Sequence, residues 1–145
     1  MNNKAVGGVH WSFWVIGAVA LIWNVLGGIN FVVQMNPDAL ASYSEAARAI
    51  IDGRPAWATG GFAVAVFGGA LGCLLLLFRK STAFYLFVAS LFGVILTHIH
   101  TLDVAAGSTV DFGPNEILMM ILMPFAVAAF LIWYSRLAVR KGWAN

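Results

Sequence analysis

Residues 56–80 read "AWATGGFAVAVFGGALGCLLLLFRK", and no charge occurs before Arg79. An α-helix rising about 1.5 Å per residue covers roughly 34 Å over such a run, enough to cross a hydrocarbon core of about 30 Å. Three further apolar runs accompany it, at residues 11–33, 82–102 and 115–134. The expected fold is an all-α, four-helix transmembrane bundle, one integral membrane domain over residues 1–145. Composition agrees: 61% of the residues are hydrophobic and 10% charged, with six Trp and eleven Phe, outside the range of soluble globular domains. Little chain remains for a soluble domain.

The first run could be mistaken for a cleaved signal, because "MNNK" begins weakly basic and "GAVA" at 17–20 resembles a processing site. The apolar stretch continues past it to Val33, so it is expected to stay as a span. Cys73 is the single cysteine, which excludes an intramolecular disulfide.

Charge distribution orients the spans. With alternating helices, Lys4, Arg79, Lys80, Arg136, Arg140 and Lys141 share one side of the membrane. Arg48 and Arg54 fall on the other side with all six acids, Asp38, Glu45, Asp52, Asp103, Asp111 and Glu116. Basic residues are retained in the cytoplasm during insertion, so both termini are expected there, in a multi-pass membrane protein. Trp11, Trp14, Trp133 and Tyr134 would anchor the cytoplasmic interface and Trp57 the outer one.

Between the first two spans, residues 37–52 read as a short amphipathic helix on the outer side. Asn36 caps it, Pro37 and Asp38 suit its first turn, and Gly53 and Pro55 stop the chain. Leu40, Tyr43, Ala47, Ile50 and Ile51 form its apolar face. It serves as a connector on the helix ends or as a lid. In the fourth span Pro124 cannot donate to the Met120 carbonyl, which predicts a kink, with the freed carbonyl satisfied inside the bundle.

The opening stretch carries a second pattern. Gly61, Ala65, Gly69 and Cys73 recur at spacing four, beside a parallel row of Gly60, Val64, Gly68 and Gly72. In lipid, where no hydrophobic effect drives helices together, small residues in such rows let two backbones approach closely. This face is a contact surface for a helix of the same chain or of another protomer.

Two constellations could carry chemistry. "LTHIHTLD" at 96–103 holds His98, His100 and Asp103. Histidines two apart point about 200° apart around a helix, so they do not converge on one ion, whereas His100 and Asp103 share a face. Haem fares worse, since His10 lies roughly 30 Å away across the membrane. No cofactor is expected, and the segment reads as a helix end turning polar where water begins. A pH-responsive element is the middle reading, because histidine changes charge near neutral pH. The second constellation is a possible polar path through Asn24, Asn30, Gln34 and the Pro124 kink. Ion coupling needs an ionisable side chain at depth, and none is expected. The scattered basic residues suit lipid headgroups and give no sign of nucleic acid.

The segments "WNVLGGINFVVQ" at 23–34, "RPAWATGGFAVAVFGGALGCLLLLFRKS" at 54–81 and "FVASLFGVI" at 87–95 resemble a family of small four-helix bacterial inner-membrane proteins. Some of these carry the label "sugar transporter". The resemblance is most specific at 55–57 and 65–80, and "LTHIHT" is not part of the shared pattern. It implies a bacterial inner-membrane location and carries no catalytic or binding residue onto this chain. Taken together, the sequence points to a non-enzymatic membrane protein acting by helix association. Membrane lipids surround it, and it works as a homo-oligomer or beside a membrane-protein partner. A small-molecule permease and an outer-side metal or redox site are the alternatives.

Overall fold

The computed structural model describes residues 8–145; Lys4 lies outside them. Among the described residues the fold is all-α. Helix α1 spans Trp11–Val33, α2 Glu45–Ile51, α3 Ala56–Leu77 and α4 Ala83–Gly107, and the last span, α5, runs over Pro114–Arg140. Four of these, α1, α3, α4 and α5, are long and apolar enough to cross a membrane. The most extensive packing is α3 on α4, then α1 on α3 and α5 on α4. The central α3–α4 pair is thus flanked by α1 and α5.

Arg79, Lys80, Arg136, Arg140 and Lys141 collect at one end of the bundle, called here the basic end, while the six acids with Arg48 and Arg54 occupy the opposite, acidic end. All four long helices meet at the basic end. Phe13, Leu76, Phe87 and Leu131 are almost wholly buried in one cluster there, with Tyr134 and Ala138. Tyr134 is buried in this cluster, whereas Trp11, Trp14 and Trp133 are exposed.

Both helix C-termini at this end finish in Schellman turns, in which the two amides after a helix bond back to its last carbonyls. Arg79 N–H donates to the Leu76 carbonyl and Lys80 N–H to the Leu75 carbonyl. In α5, Gly142 and Trp143 donate to Val139 and Ala138 in the same way. Such a turn needs a left-handed residue, supplied without steric penalty by Gly142 at φ 73° and against preference by Arg79 at φ 61°. The arginine is held there by the 143–145 segment. Its Nε donates to the Trp143 carbonyl at 2.7 Å, Asn145 N–H donates to the Arg79 carbonyl, and Ser81 N–H donates to that of Asn145.

The acidic end departs from expectation in three places. The single helix over 37–52 is broken into a 3-10 turn at Pro37–Ser42 and α2, because Ser44 caps a new helix by accepting from the Ala47 amide. Helix α4 continues past Leu102 to Gly107, more than a turn beyond the expected end. In α5 a π-turn occupies Leu118–Leu122 immediately before Pro124, and the span continues to Arg140, beyond the expected Tyr134. The proline's missing donor is absorbed by a widened turn, in which Met123 N–H reaches back to the Leu118 carbonyl.

Candidate functional site

The glycine rows of α3 are used inside the chain. Gly61 faces Leu96, Gly93 and Thr97 of α4, and Gly68 and Gly72 face Ser90 and Phe87 of the same helix. A side chain at Gly93 would run into the Gly61 carbonyl and the Ala65 backbone, so the two helices meet backbone to backbone. Ser90 Oγ–H donates to the Ala65 carbonyl across this seam at 2.6 Å. Gly69 turns the other way, against the Asn24 side chain of α1. Cys73 is buried on the same side, where Asn24 Nδ2–H points to its sulfur at 3.8 Å. Gly60 faces open space. The rows expected to form one contact surface are therefore divided between two neighbours within the chain.

Helix α1 answers with a stripe of its own. Phe13, Gly17, Ala20, Asn24 and Gly28 are its buried residues, and Gly17 and Gly28 are closely covered by Leu77 and Phe67 of α3. Spacings of three and four mark this stripe as a helical face, a signal present in the sequence and overlooked beside the denser glycines of α3. Gly93 and Ser90 were likewise missed.

The proposed polar path is not assembled. Asn24 is buried against α3, with Nδ2–H also donating to the Ala20 carbonyl at 2.9 Å. Asn30 accepts from Tyr43 Oη at 2.6 Å, and Gln34 accepts from Arg54 Nη1 at 2.9 Å. Both thereby tether the 34–55 connection to α1. Arg54 is half-buried with its guanidinium 5.3 Å from the centre of the Phe62 ring, and burial lowers its pKa. Pro124 stands on α5, on the far flank of the α3–α4 pair. Beside Asn24, the groove between α1 and α3 is apolar, lined by residues such as Val25, Ile29 and Phe67.

"LTHIHTLD" is where the structure most changes the reading. His98 and His100 lie well inside α4, with His98 nine residues, about 13 Å of helix, before Gly107. The segment is therefore helix interior and not the helix end expected for it. His100 is buried at 7% exposure, and its Nε2–H donates to the Ile50 carbonyl at 2.9 Å, docking the last turn of α2 on α4. The Trp57 ring meets it edge-on. His98 points elsewhere. Its Nδ1 lies 2.8 Å from the Val94 carbonyl oxygen of its own helix, and its Nε2 lies 2.6 Å from the Ile121 carbonyl oxygen in the π-turn.

No protein-family model, curated protein or solved structure matches this chain. The assignment of roles therefore rests on geometry. His98, His100 and Asp103 do not converge: the two imidazoles bind carbonyls of different segments, and Asp103 is exposed. Among the described residues no group of three or more His, Cys, Asp or Glu side chains could hold a metal ion. His100, which shares a face with Asp103, is bound instead to the Ile50 carbonyl. The carbonyl that His98 meets belongs to Ile121, one residue beyond Met120. Each histidine is a clasp between helical segments.

Proposed function

We propose that the chain is a non-enzymatic multi-pass protein of the bacterial inner membrane, with both termini cytoplasmic, that acts through helix–helix association with copies of itself or with another membrane protein. The observation carrying this reading is the half of α5 nearest the acidic end. None of its residues before Ala128 is buried, although the π-turn interrupts its backbone ladder there. Irregular backbone at membrane depth is tolerated where protein surrounds it or where it lines a cavity. A neighbouring helix against Leu118–Leu122 provides that surrounding. The α3 glycines, already occupied within the chain, leave this part of α5 as the better association surface.

The resemblance to small four-helix inner-membrane proteins supports the bacterial location. Segregation of the basic side chains to one end supports cytoplasmic termini, because that end carries the retention signal. Arg136 and Arg140 border a cleft between α4 and α5 with Ser81 and Tyr85, a setting suited to anionic lipid headgroups.

Native mass spectrometry of the protein released from membranes in mild detergent tests the reading. A defined homo-oligomer or a stoichiometric protein partner is the expected spectrum. A uniform monomer carrying only lipid overturns it, and a retained metal or haem would return the histidines to a ligand role.

A further inference from the structure

Both ring nitrogens of His98 face groups that only accept. One is the Val94 carbonyl at 2.8 Å and the other the Ile121 carbonyl at 2.6 Å. A neutral imidazole carries a single N–H and can donate to one of them; the imidazolium carries two and donates to both. We infer that His98 is a proton-binding site inside the membrane-spanning region, and that the bound proton latches the π-turn of α5 onto α4.

The surroundings leave the two carbonyls as the ring's hydrogen-bond partners among the described residues. Helix α3 offers no titratable side chain except Cys73, which lies toward the basic end beside Asn24. On α4, His100 is engaged with Ile50 across the helix, and Asp103 is exposed five residues further on. On α5, Glu116 precedes Ile121 by five residues, and Asp111 lies in the preceding loop. Glu45, Arg48 and Asp52 belong to the α2 region, which reaches α4 through His100. Phe125 stands beside the ring at 6.3 Å between centroids, near the limit for cation–π attraction.

Proton release goes to water at the acidic end and leaves a nitrogen lone pair pointing at a carbonyl lone pair. That contact is repulsive, and α5 has no buried side chain before Ala128 to hold it in place. The latch holds while the ring carries both protons and lets go when one is lost. A π-turn is a natural partner for such a device, since its hydrogen bonds can shift register without unfolding the helix.

The test is solid-state NMR of the ¹⁵N-histidine, ¹³C-isoleucine protein in lipid bilayers, titrated from about pH 5 to about pH 8. The chain has three histidines, so the His98→Phe spectrum identifies the His98 signals. Two protonated ring nitrogens are expected at the acidic limit. The loss of one proton on raising pH should be accompanied by a shift of the Ile121 carbonyl. A ring that stays neutral throughout, or a titration that leaves Ile121 unmoved, overturns the inference. Hydrogen exchange over 114–125, corrected for the intrinsic pH dependence of exchange, gives a second reading. Protection should fall with rising pH in the wild type and be low and flat in His98→Phe. A pH response retained in that variant also overturns the latch, and the wild-type NMR decides the matter if the variant fails to fold.

Discussion

Gly93 is the residue whose replacement should be felt most. A methyl group there meets the backbone of Gly61 and Ala65, which cannot rotate out of the way as a side chain could. Gly93→Leu is expected to lower stability by about 1–3 kcal/mol, the usual penalty for overpacking. Gly60→Ala, directed into open space, should stay within about 0.5 kcal/mol of the parent. Thermal unfolding followed by tryptophan fluorescence in detergent separates the two, and equal effects would mean that the α3–α4 seam is not as close as described. Such positions are only half legible in sequence. The α3 glycines announce themselves by repetition, whereas Gly93 has no repeat and its importance comes entirely from the helix opposite. The histidines show the same limit. Their opposed directions follow from a spacing of two, but their partners are backbone carbonyls at Ile50 and Ile121, and every residue has a carbonyl.

Helix α2 has seven residues, too few to persist alone in water. Its order depends on docking Ala46, Ala47, Ile50 and Ile51, and on the His100 bond at its C-terminus. His100→Phe keeps the ring's bulk and removes the donor, at an expected cost of about 1 kcal/mol. The readout is faster limited proteolysis at 44–54, with α3 and α4 still protected. Unchanged cleavage would show that apolar contacts alone hold α2. The stop at Gly53 and the start at Asn36 and Pro37 were readable from turn chemistry. The break at Ser44 was not, because a serine on the polar face of a continuous amphipathic pattern and a serine capping a new helix look alike. Likewise Pro124 announced a disturbance in α5, read as a kink, and the structure meets it with a π-turn over Leu118–Leu122.

For the whole molecule, helix number and alternation were legible because apolar length is a property of composition, and lipid-spanning length admits few solutions. Neighbour relations were less so, since apolar helix faces in lipid look similar whether they meet lipid or protein. The proposed orientation makes its own prediction. A membrane-impermeant thiol reagent added outside intact spheroplasts should label Ser108→Cys in a Cys73→Ala background and leave Lys141→Cys unlabelled until the membrane is opened; the reverse pattern would invert the topology.

The closure of the basic end also implies an order of events during synthesis. The turn at Arg79 waits for residues 143–145 to supply its hydrogen-bond partners, and at about 5–20 residues per second these emerge roughly 3–13 s later. Until then the central hairpin has its basic-end clasp unmade. Residues 143–145 thus complete the basic end, and a nascent chain stalled shortly before them would leave the Arg79 turn without its partners.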